Sequence, residues 1–450
     1  MLKTVIIGAG SGFGGRLSID IMSNETLRNS KICLCDLHEG RLKKVENYIR
    51  NTIEKHDLPT KLETSTDRTD LLPDADFVIT SVSVGGGAYY GHPYKEEIEI
   101  PRKYGVDQAV GDTCGVGAVF RFLRTGPVHL QIFKDIERLC PDALALNHTN
   151  PMAMLTWLHH KETSVENVGL CHGIYWTSRK IAKMLGIPVE ELYYDVAGIN
   201  HLAWFLKLQH KDKDLYPELK KLINNPELSE DQELREEEEV RFEILKQFNY
   251  FSTESPRHDS EYLPYFRITQ ELLDNYNLER RQVEDEPGKV REWMEDTGPE
   301  DSNKAYGELR KSNEYTTGIM EAVLTDKPYK FNGNVMNTGL ITNLPEGSCV
   351  EVPCMVDKQG IHPCYVGDLP SHLAGLDRTN INVQELAVEA VIEKDKEKAF
   401  QACALSPLTA SKLSLPEIRE MFNELWEAEK DLLLWFDPSH EGPVPELYAD

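Results

Sequence analysis

Short apolar runs alternate with longer amphipathic segments along the first part of the chain. The apolar runs cover residues 4–8, 31–36, 75–82 and 143–147, and segments such as 117–139 between them are long enough for helices. Buried strands separated by helices are typical of βαβ units, because parallel strands need a crossover connection. We therefore predict an α/β fold in which residues 1–190 form a parallel sheet covered by helices on both faces.

The alternation breaks down beyond residue 190, and we predict a second, mixed α/β domain over residues 191–450. Ser229 is expected to cap a highly charged helix that runs to Gln247. Residues 287–303 are expected to form a loop around a short helix. We predict further elements in this half as strands at 337–345 and 349–353, turned at Gly339 and Gly347, and helices at 383–402 and 415–436.

Charge and cysteine content exclude several classes of protein. Lys and Arg total 49 against 75 for Asp and Glu, and the resulting net charge of -26 repels nucleic acids and anionic membranes. The nine cysteines are an odd number without regular spacing, so we expect no disulfide framework and a reducing compartment. The first residues enter a strand at once, which leaves no room for an export signal, and no apolar run reaches the roughly 20 residues of a membrane span. We expect a cytoplasmic protein without a nucleic-acid or membrane partner.

A glycine-rich segment directly follows the first predicted strand and precedes a helix. Glycines in this context allow a phosphate group to approach the backbone, and the helix N-terminus supplies N–H donors. Phe13 stands where the usual third glycine would be, so the segment alone also fits a tight turn without a nucleotide. The candidate cofactor residues here are Gly8, Gly10, Ser11, Gly12 and Phe13.

Asp36 ends the second predicted strand, at about the spacing where a carboxylate accepts hydrogen bonds from an adenosine ribose. A carboxylate there repels a ribose phosphate, so the pattern favours NAD over NADP. Ser83, after the apolar run 75–82, is a further candidate for contact with the cofactor. The glycines and Asp36 together predict a dinucleotide site.

Three segments with polar residues follow short apolar runs: 147–152, 169–172 and 197–202. Open α/β sheets build their sites at the carboxyl ends of strands. Cys171 and His201 are a thiolate and an imidazole that together suit a divalent ion. Single Cys and His residues also serve packing, so at this point both interpretations stay open.

The motifs together resemble glycoside hydrolase family 4, and within it the bacterial α-galactosidases (melibiases). The resemblance spans nearly the whole chain. It implies a Rossmann-type NAD-binding domain related to lactate and malate dehydrogenases, a mixed α/β substrate domain, and a homodimer or homotetramer. The matching stretches are 8–11, 110–115 with Arg121 and Arg124, 150–154, 169–172, 197–201, 253–255, 261–262, 343–345 and 379–383.

This resemblance implies a hydrolysis that passes through transient oxidation of the sugar. The family is an exception to two-carboxylate glycoside hydrolysis. Oxidation of C3 by NAD acidifies the hydrogen at C2, so the C1 leaving group can be eliminated. Water then adds and NADH returns the hydride, while a divalent metal, expected to be Mn²⁺, stabilises the negative charge.

Residue roles follow from the matching positions. Cys171 and His201 match the metal ligands of the family. Asn150 matches a contact to a sugar hydroxyl. Asp112 and Asn200 are further candidates for substrate binding, although Asp112 also suits a helix cap.

Tyr262 matches the tyrosine that takes the C2 proton, and a nearby cation is expected to lower its pKa. Asp259 is the reserve candidate for this base. His172 stands where some members carry the acid that protonates the leaving group.

The sequence leaves the sugar open. It departs from the α-galactosidase pattern at residues 116–118, 126–127 and 172–176. Arginines near the motifs, Arg121, Arg124 and Arg257, keep an α-galacturonidase, an α-glucuronidase or a 6-phosphoglycosidase as alternatives, beside an α-glucosidase. From other classes, a plain NAD-dependent dehydrogenase or a non-catalytic nucleotide-binding protein also remains.

Overall fold

The computed structural model describes residues 1–85, 89–225, 232–284 and 308–440, together with positions 442 and 444. The predicted Ser229 cap and the predicted loop at 287–303 lie outside the described residues. The expected charged helix up to Gln247 is present as two shorter helices, Gln232–Glu237 and Glu239–Phe248.

Within these residues the strands are β1 (Lys3–Ile7), β2 (Lys31–Cys35), β3 (Lys61–Ser65), β4 (Phe77–Thr80), β5 (Leu144–Asn147), β6 (Asn167–Gly169), β7 (Tyr193–Ile199), β8 (Leu202–His210), β9 (Lys213–Asp214), β10 (Phe251–Ser252), β11 (Tyr329–Met336), β12 (Cys349–Asp357) and β13 (Gly360–Pro363). The first nine helices are α1 (Gly12–Ser23), α2 (Glu39–Lys55), α3 (Arg68–Leu71), α4 (Tyr94–Lys103), α5 (Gly115–Leu139), α6 (Met152–Glu162), α7 (Gly173–Met184), α8 (Tyr216–Asn224) and α9 (Gln232–Glu237). The remaining helices are α10 (Glu239–Phe248), α11 (Pro256–Tyr262), α12 (Gln270–Asn275), α13 (Thr316–Thr325), α14 (Ser371–Glu393), α15 (Lys396–Leu405), α16 (Pro407–Ala410) and α17 (Leu415–Ala428).

Six strands of the first half form a parallel sheet in the order β3-β2-β1-β4-β5-β6. This is the strand order of dinucleotide-binding folds, in which ligands bind outside the carboxyl ends of the strands where the order reverses. Here the reversal lies between β1 and β4. The predicted Rossmann-type architecture is confirmed.

Both faces of this sheet are buried. Val5 and Ile6 are neighbours on β1 and have no exposed surface, yet they belong to two different core clusters. Successive side chains of a strand point to opposite faces, so each face packs against its own layer of helices. This explains why the strands are continuous apolar runs instead of alternating patterns.

The second half extends the same sheet with antiparallel strands. Strand β11 pairs with β6 and with β12, and the sheet continues through β7 and β8 to β10. The mixed α/β character predicted for this half is confirmed. The division into domains at 1–190 and 191–450 stays a prediction, since one sheet runs through both segments.

Three of the elements predicted in the second half differ from the structure. Residues 337–345 form turns instead of a strand, because the Asn337 side chain accepts from the Ile341 N–H and donates to the Leu344 and Pro345 carbonyls. The helix predicted at 383–402 is interrupted at Lys394, which adopts a φ of +56°. Asp395 then caps α15 by accepting from two backbone N–H groups. The helix predicted at 415–436 ends as α17 at Ala428.

The nine cysteines all lie in the described part of the chain, and none of them forms a disulfide. The expectation of a fold without a disulfide framework is confirmed. Among the described helices, none combines the length and the apolar character needed to cross a membrane.

A buried histidine pair between α5 and α6 makes a testable contribution to stability. Nδ1 of His129 lies 3.3 Å from Nε2 of His159, and neither residue is exposed. Burial lowers the pKa of His129 to about 3 and the pKa of His159 well below its usual value. Since the folded-state pKa values lie below the unfolded value of about 6.5, both histidines favour folding above that pH and lose this contribution as the pH falls.

We expect the double variant His129→Leu/His159→Leu to lose less stability between pH 7 and pH 5 than the wild type. The expected difference is about 1–2 kcal/mol per histidine, because between pH 7 and pH 5 each of these histidines takes up a proton in the unfolded chain but not in the folded protein. Urea unfolding at the two pH values measures it. The surface variant His372→Gln is the control, and equal pH dependence in all three proteins would contradict the prediction.

Candidate active site

His201 occupies a tight turn that forces an unusual backbone conformation. Strands β7 and β8 form a hairpin whose connecting residues are Asn200 and His201, and His201 has a φ of +62°. A left-handed conformation costs about 1 kcal/mol for a residue of this kind. Such strain is concentrated at functional sites, and here it directs the imidazole toward Cys171.

Three potential metal ligands converge at this point. Sγ of Cys171 lies 3.2 Å from Nε2 of His201 and 4.0 Å from Oε2 of Glu254, which itself lies 3.6 Å from Nε2 of His201. Donor atoms bound to one tetrahedral ion at 2.0–2.3 Å are about 3.3–3.8 Å apart. The three side chains therefore fit the first coordination sphere of a single divalent ion and leave positions open for a ligand.

The charges around the cluster also favour a cation. Burial raises the pKa of the Cys171 thiol well above its usual value, and the carboxylates of Glu254 and Glu351 raise it further. Burial and the charge of Glu254 raise the pKa of Glu351 to about 8. Burial lowers the pKa of His201 to about 4, which keeps the imidazole neutral and able to bind a metal. A divalent ion would stabilise the thiolate and carboxylate forms that burial alone disfavours.

Glu254 is a ligand candidate to which the sequence analysis assigned no role. It lies in the matching stretch 253–255, but nothing in its spacing relates it to Cys171. A Cβ added to Gly173 would lie 2.3 Å from Oε2 of Glu254, so the glycine makes room for the carboxylate.

We expect Glu254→Gln to weaken Mn²⁺ binding by about 10–100-fold, because an amide oxygen is a neutral and poorer donor. Titration with Mn²⁺, followed by electron paramagnetic resonance of the free ion, measures the affinity. Glu63→Gln removes a half-exposed carboxylate that pairs with Lys31 and serves as the control. Equal affinities of the two variants would rule out Glu254 as a ligand.

The loop before α5 contributes a second group of side chains. Oε1 of Glu261 accepts the N–H groups of Ala109, Val110 and Gly111 at 2.6, 2.9 and 2.9 Å. A buried carboxylate with three donors fixes the loop firmly. Thr113 then lies with Oγ1 3.3 Å from Nδ1 of His201, which orients the imidazole.

Tyr262 lies next to this loop and is linked to His201 through Thr113. Its hydroxyl donates to the Thr113 carbonyl at 3.2 Å, and burial raises its pKa well above the usual value. The sequence predicts a lowered pKa instead, which a nearby cation would produce if it outweighs the effect of burial. Asp259, the reserve candidate, accepts from the Ser252 hydroxyl at 2.6 Å, and burial raises its pKa as well.

Asp112 and Asn150 meet in the structure. Oδ2 of Asp112 accepts from Nδ2 of Asn150 at 3.1 Å and from the Tyr89 hydroxyl at 3.0 Å. Its Oδ1 is buried and has no hydrogen-bond partner within the described residues. A buried carboxylate oxygen requires a donor, which a sugar hydroxyl can supply. Asn200 is buried, with its Nδ2 3.9 Å from Sδ of Met152.

The glycine turn fits a dinucleotide. The Gly10 N–H donates to Oδ2 of Asp36 at 2.7 Å, and Oδ1 of Asp36 accepts from the His38 N–H at 2.9 Å. A Cβ on Gly10 would lie 2.8 Å from the Asp36 carboxyl group, so only glycine permits this approach. The arrangement brings Asp36 to the turn that would hold a pyrophosphate, as the sequence predicts.

The other predicted cofactor residues surround this turn. The Gly8 N–H donates to the Cys35 carbonyl at 2.9 Å, and the Ser11 hydroxyl donates to the Gly8 carbonyl at 2.8 Å. Gly12 begins α1 and Phe13 lies in its first turn, while Ser83 is partly buried in the loop after β4. The close contact between helix and turn is made by Gly14, whose added Cβ would lie 2.1 Å from the Ala9 carbonyl oxygen. The third glycine of the motif is thus displaced by one residue, from position 13 to Gly14, which was not among the predicted cofactor residues.

His172 is the N-cap residue of α7, and its side chain contacts a buried carboxylate. Its Nδ1 lies 3.3 Å from Oε1 of Glu314, while Oε2 of Glu314 lies 3.9 Å from Nδ1 of His148. The hydrogen bond with Glu314 raises the pKa of His172. The ring of His148 lies 5.4 Å from the ring of Phe13. The contacts among His172, Glu314 and His148 therefore connect the candidate metal ligands to the glycine turn.

Three pairs of predicted site residues are in contact in the structure: Cys171 with His201, Asp112 with Asn150, and Gly10 with Asp36. Four further residues of the site were not predicted, namely Glu254, Glu314, Glu351 and His258, whose ring lies 4.5 Å from that of His201. Of these, only Glu254 lies within a stretch that the resemblance had marked.

Comparisons with known proteins identify the family of the chain. The model of the family described as "Family 4 glycosyl hydrolase" matches residues 3–187, and the model of its C-terminal domain matches residues 196–409. An α-galactosidase of Bacillus subtilis (strain 168) is 38% identical over 96% of this chain and 99% of its own length.

Solved structures confirm the fold. A 6-phospho-α-glucosidase from gut microorganisms, solved in complex with NAD and Mn²⁺, has a TM-score of 0.76 at 21% identity, with 96% of this chain and 98% of that chain covered. A malate dehydrogenase of Plasmodium falciparum in complex with NADH has a TM-score of 0.51 at 14% identity over 90% of this chain and 100% of its own. The predicted similarity to the fold of dehydrogenases is confirmed. Since both family models match and the α-galactosidase is similar over almost its full length, the chain belongs to glycosyl hydrolase family 4.

Proposed function

We propose that this glycoside hydrolase is an α-galactosidase that depends on NAD and a divalent metal ion. The observation that carries the proposal is the convergence of Cys171, His201 and Glu254 on one point. A plain dehydrogenase for a hydroxy acid needs no such soft and acidic donor set. The combination of this cluster with a glycine turn suits a hydrolysis in which the sugar is oxidised for a time.

Two groups absent from the chain itself belong to this proposal. An ion held by Cys171, His201 and Glu254, expected to be Mn²⁺, supplies a Lewis acid for vicinal hydroxyl oxygens of the sugar. NAD at the turn around Gly10 and Asp36 supplies a reversible acceptor for a hydride.

The other side chains orient the sugar and move protons. Asp112 and Asn150 form a hydrogen-bonded pair whose free carboxylate oxygen is proposed to accept a sugar hydroxyl. Tyr262 is the proposed acceptor of the C2 proton, and His172 the proposed donor to the leaving-group oxygen. Asn200 is proposed to support the substrate from the turn that carries His201.

The galactoside is favoured because the B. subtilis α-galactosidase is similar over nearly its entire length. A panel of nitrophenyl α- and β-galactosides, glucosides, galacturonides and 6-phosphoglycosides, assayed with NAD, Mn²⁺ and a thiol reductant, tests this. We expect turnover of the α-galactoside at NAD concentrations far below that of the substrate. Preference for a galacturonide or a 6-phosphoglycoside would overturn the proposed sugar, and formation of one NADH per substrate would overturn the glycosidase.

We also propose that the protein acts in the cytoplasm as a homodimer or homotetramer, as the sequence analysis expects. Light scattering coupled to gel filtration measures the subunit number. A mass equal to one chain of 51.2 kDa would contradict the oligomer.

A further inference from the structure

Three consecutive residues, Ser312, Asn313 and Glu314, connect the glycine-turn helix to the helix that follows His172. We call them the 312–314 strap. Ser312 contacts α1, whereas Asn313 and Glu314 contact α7 and its N-cap, although no local sequence pattern marks these residues. The strap belongs to a segment just before α13 whose position in the chain is far from every motif of the site.

The first contact of the strap is with α1. The Ser312 N–H donates to Oδ1 of Asp20 at 2.6 Å, and the Ser312 hydroxyl donates to Oδ2 of the same carboxylate. Asp20 is buried within the helix that begins at the glycine turn. The backbone of the strap is therefore anchored to the element that would hold the dinucleotide.

The second and third contacts are with α7 and its cap. The Tyr175 hydroxyl donates to Oδ1 of Asn313. Oε1 of Glu314 lies 3.3 Å from Nδ1 of His172, and the Glu314 N–H donates to the Ser312 hydroxyl at 3.2 Å. Ser312 thus holds the backbone N–H of Glu314, while the carboxylate of Glu314 contacts the imidazole of His172.

A carboxylate only accepts hydrogen bonds, so Nδ1 of His172 carries the hydrogen of this contact. That leaves Nε2 as the nitrogen that exchanges a proton with a ligand. The His172 side chain is 44% exposed whereas that of Glu314 is 6% exposed, so a bound glycoside can reach the imidazole but not the carboxylate. A carboxylate that fixes the ring of an acid–base histidine in this way acts through the histidine and not on the substrate.

We propose that Glu314 is a positioning residue that orients His172 toward the oxygen of the leaving group. This inference rests on the proposed function, because it concerns the step in which the bond between C1 and that oxygen breaks. In this step the electron pair of the bond passes to the leaving-group oxygen, which takes the proton from Nε2 of the His172 imidazolium and leaves a neutral ring with its hydrogen on Nδ1. The strap keeps Glu314 in place through Asp20.

The test compares leaving groups of different basicity. A dinitrophenolate departs without a proton, whereas an alkoxide needs one. We expect Glu314→Ala to lower kcat/KM for methyl α-galactoside by about 100-fold and for dinitrophenyl α-galactoside by less than about threefold. Glu314→Gln is expected to lie between wild type and Glu314→Ala, because its amide oxygen still accepts from Nδ1.

Glu321→Gln is the matched control. This carboxylate on α13 also binds the first half of the chain, through Nδ2 of Asn24 at 2.7 Å, but it does not contact His172. We expect its kcat/KM to match the wild type for both substrates. An equal loss in Glu314→Ala for both leaving groups, or no loss for either, would overturn the proposal. Absence of turnover in the wild-type enzyme itself would instead count against the proposed function.

A second readout does not depend on turnover. In protein labelled with ¹⁵N-histidine, two-bond ¹⁵N–¹H correlations distinguish the two tautomers of His172, and His172→Gln identifies its signals. We expect a hydrogen on Nδ1 in the wild type and in Glu314→Gln, and a mixture of tautomers in Glu314→Ala. A wild-type signal with the hydrogen on Nε2 alone would overturn the assignment even if a variant fails to fold.

Discussion

Cys171→Ser is expected to abolish tight Mn²⁺ binding and to lower kcat/KM on the nitrophenyl α-galactoside by at least about 10³-fold. A serine hydroxyl is far less acidic than a thiol and is a poor ligand for a borderline-soft ion. Sγ of Cys171 is also the atom that contacts both His201 and Glu254, so its replacement weakens the whole cluster. Metal content by mass spectrometry and initial rates at saturating NAD measure the two effects.

Cys364→Ser provides the matched control, because Cys364 is likewise a partly buried free cysteine but lies outside the cluster. We expect it to retain wild-type metal content and rate. Thermal unfolding of both variants separates loss of the ligand from loss of the fold. If Cys171→Ser kept both its manganese and its turnover, the metal site would have to lie elsewhere.

Asp36→Ala is expected to weaken NAD binding by about 10–100-fold, which corresponds to the loss of one or two hydrogen bonds to a charged group. We expect the loss to be confined to the cofactor site, because the Asp36 carboxylate accepts from the N–H groups of Gly10 and His38 and faces the glycine turn. Removal of the carboxylate also removes the repulsion of a ribose phosphate, so the preference for NAD over NADP should decrease. Fluorescence titration with each dinucleotide measures both changes.

Glu39→Ala is the control for this experiment. Glu39 lies in the first turn of α2, three residues from Asp36, and it is exposed. We expect its NAD affinity to equal that of the wild type. An Asp36→Ala protein that binds NAD within about twofold of the wild type would remove Asp36 from the cofactor site.

Local sequence patterns were sufficient where the chain itself brings the residues together. The apolar runs predict the parallel strands because a strand buried on both faces must be apolar throughout. Gly10 and Asp36 meet because β1 and β2 are adjacent parallel strands that end at the same edge. Cys171 and His201 were assigned to the metal from the resemblance and not from their spacing.

The rest of the site depends on contacts that have no local signal. Glu254 and Glu314 reach the cluster from loops that only the antiparallel half of the sheet brings close. The same half contains the wrong strand at 337–345, where the Asn337 side chain replaces ladder hydrogen bonds. Such competition between side chain and backbone is set by one residue and leaves the apolar pattern unchanged.

The pKa of Tyr262 shows where the sequence and the structure differ most in chemistry. A nearby cation was expected to stabilise the phenolate, whereas burial in the structure favours the neutral phenol. The two statements agree if a cation, such as an ion held by Cys171, His201 and Glu254 or the nicotinamide of NAD, lies close to the phenol. Tyr262 is therefore proposed as a base only in the metal-loaded enzyme.

Hydrolysis of the nitrophenyl α-galactoside in deuterium oxide tests the central claim most directly. With NAD far below the substrate concentration, the account predicts galactose that carries deuterium at C2 and no accumulation of NADH. Galactose without deuterium at C2, or one NADH formed for every sugar released, would contradict it.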